Sequence, residues 1–450
     1  MIGVSLSRWT MSYFATALLA LIVAELLMAV GFGFPSATIE SPKTLVLVHL
    51  VALGWLSLLM CGALFQFVPV LVARPLFSDF LPLPTLVLLV GGIVALLCGF
   101  LHLDSSIGSD LPLLPLAGAL LGAGFSLVLW NLGRTLWAAR PLPLPARFVA
   151  VGLSSLTAAA ALGIVFTLAL SGVASQSISN LTAFGLPVHV IAGLGGWLTF
   201  TAMGVSYRLL SMFMLAPEAD KPTTRVALYT GAGAVAVAVI GGTTAICLGS
   251  GNIDFILLSA GVLGLAAVAL YGADIVHLYR ARKRHNIELN SRMAVFALVS
   301  LAADIAFTIV ALAFGNLPGQ IGPIVFLFAF GWLSGLGLAK LYKIAAFLTW
   351  LECYGPVLGK QPTPRVQDLV VERRASKYFY LYFMAVWAGT AALAIGVTPG
   401  FRGAAALMAL ATLGIVRELL RTRKLADVKP ALRSPEGMHR PRLLICLQRT

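Results

Sequence analysis

The chain alternates long apolar runs with short polar breaks. Apolar blocks occupy 11–33, 44–73, 84–102, 111–138, 147–171, 182–215, 226–248, 253–279, 293–314, 320–350, 378–397 and 403–421. Each approaches or exceeds the ~20 residues an α-helix needs to cross a bilayer. Within a block the apolar positions are continuous, whereas barrel strands would alternate apolar and polar. The pattern therefore predicts an all-α polytopic membrane protein with about twelve transmembrane helices over residues 1–424, and a basic cytoplasmic tail over 425–450. Blocks two, six and ten are the longest, which allows tilt or extension beyond the hydrocarbon. The first block follows Arg8 and is longer than the apolar core of a signal peptide, so it reads as a retained helix.

Composition agrees. Hydrophobic residues make up 59% of the chain and charged residues 11%, with a mean hydropathy of +0.96. A soluble domain carries roughly 25% charged residues. The formal charge of +14 suggests nucleic acid until its distribution is considered. With the N-terminus placed inside, all of the 31 Lys and Arg except Lys43 and Arg402 fall on the cytoplasmic face. That split is the positive-inside rule and puts both termini in the cytoplasm. The basic charge is then a matter of topology and of contact with the anionic bilayer, and no nucleic-acid partner is expected. Cys61, Cys98, Cys247, Cys353 and Cys446 form no CxxC pair and read as free thiols.

An internal repeat runs through the three longest blocks. Each contains Gly-Trp-Leu-Ser/Thr: Gly54-Trp55-Leu56-Ser57, Gly196-Trp197-Leu198-Thr199 and Gly331-Trp332-Leu333-Ser334. The spacings are 142 and 135 residues, four helices each time. An aromatic follows eleven residues after each Gly (Phe65, Tyr207, Tyr342), and then a polar residue (Gln66, Arg208, Lys343). The last three fall near the cytoplasmic helix ends, where long basic side chains reach the interface.

Twelve helices with both ends inside, a repeat every fourth helix, and His49 five residues before Gly54 together resemble the catalytic subunit of the haem-copper oxidases, a superfamily that includes the nitric-oxide reductases. The likeness spans roughly residues 10–421. It implies three arcs of four helices, location in the plasma (inner) membrane of a prokaryote, and redox or assembly partner subunits. It also implies an axial haem histidine in the outer part of helix two, where His49 lies, and a copper or iron histidine on helix six, where His189 lies. The chain departs from the family elsewhere. Helix seven lacks the paired metal-binding histidines, with no His between 226 and 248. Helix ten lacks the His-x-His pair, and its outer half reads Gly322-Pro323-Ile324-Val325-Phe326-Leu327-Phe328-Ala329-Phe330. The expected protein is a degenerate or repurposed relative, not by itself a terminal oxidase.

Other polar residues are weighed on their own chemistry. An imidazole inside an apolar helix costs free energy unless it has a partner, so His49 is either a ligand or a hydrogen-bonded packing residue. His189 follows Pro187 and starts its helix close to the interface, which also permits solvation. By offset from the shared Gly, the two histidines differ by only ~3 Å in depth but by about 200° around an ideal helix. His49 is therefore expected to carry an axial haem bond and His189 to line a separate outer pocket for a metal or a hydrogen-bond network. Glu25 and Asp304 fall near mid-membrane and are candidate proton or ion sites, the alternative being neutral acids hydrogen-bonded between helices. Asp274 is expected nearer the inner face, paired with Arg280. His102, Asp104 and Asp110 share an outer loop with no fixed ligand spacing and read as surface residues.

The expected function is that of a membrane haem protein in electron transfer, haem or copper handling, or nitrogen-oxide metabolism, with oxidoreductase activity left open. Two rivals remain. A transporter or channel also suits twelve helices and a repeat, although transporter repeats are usually twofold with broken helices. A membrane assembly or scaffold protein without cofactors is the other.

Overall fold

The computed structural model describes residues 7–172, 176–218, 220–249 and 251–446. Twelve long helices account for the apolar blocks: α1 Thr10–Val30, α2 Pro42–Val72, α3 Pro82–Leu103, α4 Leu113–Ala138, α5 Leu144–Leu170, α6 Leu186–Met214, α7 Pro222–Cys247, α8 Ile253–Arg280, α9 Leu289–Ala313, α10 Leu317–Val357, α11 Glu372–Ala394 and α12 Thr398–Arg423. Eleven are apolar enough along their length to cross a membrane. In α11 the first turn carries Glu372, Arg373 and Arg374, followed by Lys377, Tyr378, Tyr380 and Tyr382, which together lower its mean hydropathy although its C-terminal half is apolar. Gaps between helices are short, and Pro opens α2, α3, α7 and α12 at the first or second position, where its missing N–H costs nothing. The helices run about 1.5 Å per residue, so α2 and α10 exceed the ~30 Å hydrocarbon.

The chain forms two compact units. One comprises residues 1–66 and 287–450, the other residues 67–286. In the first unit α1 packs on α2 and α12, α9 on α10, and α11 on α12. In the second unit α3 packs on α4, α4 on α5, α5 on α6, and α7 on α8.

The repeat has a shared geometry. Over Leu50–Ser57, Ile191–Phe200 and Leu327–Ser334 the helix widens from α to π turns, and these stretches hold the three Gly-Trp strings. Widened turns displace backbone carbonyls, and side chains take them up. Thr199 Oγ1 donates to Leu194 O at 2.8 Å and Ser334 Oγ to Ala329 O at 2.7 Å, each five residues back. The Tyr382 hydroxyl donates to Phe330 O at 3.1 Å. A fourth π stretch, Val237–Gly241, interrupts α7.

The repeat glycines mark where the preceding helix comes closest. A Cβ on Gly54 would lie 2.9 Å from Ala20 Cβ, one on Gly196 2.5 Å from Ser155 Cβ, and one on Gly331 2.8 Å from Ser300 Cβ. Ala20, Ser155 and Ser300 are thus equivalent positions on α1, α5 and α9. Two turns further in, Gly62 and Gly204 admit Tyr13 and Phe148 in the same way. Those rings meet the repeat aromatics: Tyr13 stands edge-on to Phe65 at 5.7 Å, and Phe148 lies 5.3 Å from Tyr207. Trp55, Trp197 and Trp332 are all buried.

The helix ends next to the C-terminal segment are tied by ions. Lys343 pairs with Glu288 at 2.7 Å, Arg423 with Glu352 at 2.7 Å, and Arg374 with both Glu418 and Asp427. Gln66 accepts the Ser7 N–H at 2.8 Å and Arg208 pairs with Glu218 at 2.7 Å, so each polar residue ending the repeat string has a partner. The segment after α12 folds back. Leu425 and Val428 join Cys353, Tyr354, Val357 and Leu369 in a small core, and the Cys446 N–H donates to Arg8 O at 2.9 Å.

Candidate functional site

His49 closes the α-helical part of α2, directly before its π stretch. Its Nδ1 lies 2.9 Å from Leu45 O. A carbonyl can only accept, so Nδ1 carries the proton and Nε2 carries the lone pair. Metal-ligating histidines commonly use this arrangement, with one ring N–H donated to a backbone carbonyl that fixes tautomer and orientation. The chemistry of His49 therefore fits an axial haem bond through Nε2.

The repeat register shows what shares its level. His49 stands five residues before Gly54 on α2. On α1, Glu25 stands five residues after Ala20, and on α9, Asp304 stands four after Ser300. At ~1.5 Å per residue all three lie about 6–8 Å to the same side of the closest-packed level. The first unit thus gathers an imidazole and two carboxyls at one depth on α1, α2 and α9. The Thr412 hydroxyl donates to Glu25 Oε1 at 2.9 Å, while Glu25 Oε2 has no hydrogen-bond partner among the described residues. Asp304 Oδ1 is likewise buried without one. Both side chains are almost fully enclosed.

His189 belongs to the second unit. Its ring lies 5.4 Å from Phe166 on α5, and a Cβ on Gly163 would meet its Cε1 at 3.4 Å. The residue begins α6 just before the π stretch. Because the chain between each histidine and its shared Gly is π-wound in part, the rotation expected at 3.6 residues per turn does not hold there.

Helix α10 answers the question of a second haem ligand. Phe326 occupies the position five before Gly331, equivalent to His49. Its ring packs on Phe330 at 4.8 Å and on Phe401 at 5.3 Å. An apolar stack fills this place, and phenylalanine offers iron no donor. Among the described residues no group of three or more His, Cys, Asp and Glu could hold a metal ion. The donors present fit one axial haem bond and do not fit a histidine-bound copper or iron centre.

Two sequence expectations change. Asp274 does not face Arg280. It accepts from Tyr207 at 3.0 Å, Thr223 at 2.5 Å and Thr224 at 2.7 Å, because α8 packs its inner half against α7. Lys340, counted by sequence with the cytoplasmic stretch, is buried inside α10 with no acceptor for its Nζ among the described residues. It lies two turns inward of the Gly-Trp string, and its place three residues before Lys343 hid it in the run of basic residues. His102 bonds only locally: its Nδ1 donates to Ile107 O at 3.2 Å and the ring is exposed.

No family model matches the sequence, and no curated protein matches it. The fold is similar to that of a heme-copper terminal oxidase dimer determined by cryo-electron microscopy. The TM-score is 0.59 at 13% identity, and the likeness covers 97% of this chain and 85% of the oxidase chain. The protein is thus an all-α polytopic membrane protein with a haem-copper oxidase subunit I-like fold, in contact with lipid along its apolar helices.

Proposed function

We propose that the protein is a haem-binding membrane protein that uses the oxidase fold without the oxidase's full ligand set. The observation that carries this reading is the Nδ1–H bond from His49 to Leu45 O, which presents Nε2 as an axial donor at the outer level of α2. When bound, the haem would supply one-electron chemistry. Around it the chain supplies His49, the carboxyls of Glu25 and Asp304 at the same depth as candidate proton or ion sites, and the phenylalanine stack of α10. His189 lines a separate outer pocket for a metal or a hydrogen-bond network; a copper or iron ion there would need ligands beyond the His, Cys, Asp and Glu clusters of the described residues.

The location we propose is the plasma (inner) membrane of a prokaryote, with both termini cytoplasmic and with redox or assembly subunits as partners. The role is electron transfer, haem or copper handling, or nitrogen-oxide metabolism. The rival reading, a cofactor-free scaffold or a transporter, draws support from the buried Lys340, whose Nζ has no acceptor among the described residues, and from the lack of a histidine over the outer half of α10. A visible spectrum and metal analysis of the purified protein separate the two. A Soret band with about one iron per chain supports the haem protein, and its absence favours the rivals.

A further inference from the structure

In the second unit, the chain after α2 is fastened to the inner end of α4. The Asn131 side chain, fully buried, donates Nδ2–H to Ser78 O at 2.9 Å and accepts the Ser78 N–H on Oδ1 at 3.0 Å. Thr135 Oγ1 accepts the Phe77 N–H at 2.9 Å. These three bonds fix the Phe77 ring edge-on to Trp130, with centroids 6.3 Å apart. The Arg134 guanidinium lies over both, 5.2 Å from the Phe77 centroid and 5.5 Å from that of Trp130. Just past the helix end, the Arg140 guanidinium lies 3.5 Å from the Trp137 centroid.

The rings are about half exposed or more, and both arginines are exposed. Neither arginine pairs with a carboxylate among the described residues, and Asp79, the one acid of the 73–81 loop, bonds to neither. The buried clamp fixes the Phe77 ring beside Trp130, and the Arg134 guanidinium lies within cation–π range of both rings at once. At 3.5 Å from the Trp137 centroid the Arg140 guanidinium is at stacking distance, which leaves its fork of N–H donors available to an anion. Tryptophan at this level marks the headgroup region of a bilayer. The corner therefore offers oriented cationic donors beside aromatic surface at the depth where phosphates sit.

We propose that this corner binds the phosphate of an anionic phospholipid, with Arg134 and Arg140 as the charged contacts and Trp130, Trp137 and Phe77 against the glycerol and upper acyl chain. The lipid belongs to the inner leaflet under the orientation given above; the binding itself does not depend on that orientation.

The test is native mass spectrometry of the full-length protein in detergent, titrated with phosphatidylglycerol or phosphatidylcholine. Each arginine near a charged lipid surface is worth about fivefold in affinity. Wild type should hold phosphatidylglycerol well above phosphatidylcholine, and the double variant R134Q/R140Q should bring the two level. R134K, which keeps the charge and loses the planar fork, should fall in between. R402Q, on the opposite face, should change nothing and controls for general loss of charge. Unchanged phosphatidylglycerol retention in R134Q/R140Q would overturn the proposal, as would equal retention of both lipids by wild type. Competition by millimolar inorganic phosphate would also overturn it, by showing a free-anion site in place of a lipid site.

Discussion

The Trp55 indole N–H donates to Ser334 Oγ at 2.8 Å and joins the repeated strings of α2 and α10. Ser334 in turn donates to Ala329 O, so one hydroxyl satisfies both an indole and a carbonyl displaced by a π turn. All of these groups are buried. Ser334→Ala should leave two polar groups unsatisfied, at a cost of about 1–3 kcal/mol each at most. The melting temperature in detergent should fall clearly. Trp55→Phe should cost less in the Ser334→Ala background than alone, because one partner is already gone. Additive losses in that double-mutant cycle would mean the bond contributes no coupling.

A second prediction concerns pH and the segment after α12. Hydrogen bonds from Arg421, then from Arg374, hold the Asp427 carboxyl below the usual carboxylate range. A carboxyl depressed in the folded state adds stability that is complete above its unfolded value of about 3.9 and is lost as pH falls through the folded value. Melting of wild type should therefore be insensitive to this group from about pH 5 to 7 and should drop toward pH 3. Asp427→Asn should melt lower at pH 7 and show a shallower acid drop. An identical acid profile in the variant would remove Asp427 from the account.

Topology gives a third. By the positive-inside rule, 281–290, 355–375 and 425–450 are expected in the cytoplasm, and 34–42, 103–110 and 315–319 outside. Single cysteines in these loops, in a background lacking the native five, should react with a membrane-impermeant maleimide from outside only at the second set. Labelling of the 355–375 loop in intact cells would reverse the orientation.

The fourth prediction is a missing activity. Oxygen reduction in the haem-copper oxidases needs a haem facing a histidine-bound copper, and Phe326 with its neighbours fills the corresponding part of α10. Purified protein supplied with reduced electron donors should consume no oxygen above background. Cyanide-sensitive turnover by this chain alone would show that other residues replace the missing ligands.

Much of this architecture was legible in the sequence because its signals are local. Apolar blocks placed each helix with its ends off by no more than seven residues, and the Gly-Trp-Leu-Ser/Thr string gave the repeat. The π winding was not legible, since Leu, Gly, Trp and Ser fit α turns equally well and only the i−5 bonds of Thr199 and Ser334 betray the wider turn. Nor was the common depth of His49, Glu25 and Asp304. That register depends on Ala20, Ser155 and Ser300 meeting the repeat glycines, three small residues with no motif of their own. Asp274 was misjudged because Arg280 is near in sequence, whereas Thr223, Thr224 and Tyr207 are near in space.

The account stands on His49, and the visible spectrum of two single variants tests it most directly. His49→Ala should insert and fold normally yet lose or shift the Soret band of the purified protein. His189→Ala, altered where the ring packs against Phe166, should leave that band largely intact. A spectrum unchanged by His49→Ala and abolished by His189→Ala would contradict the assignment of the axial haem bond.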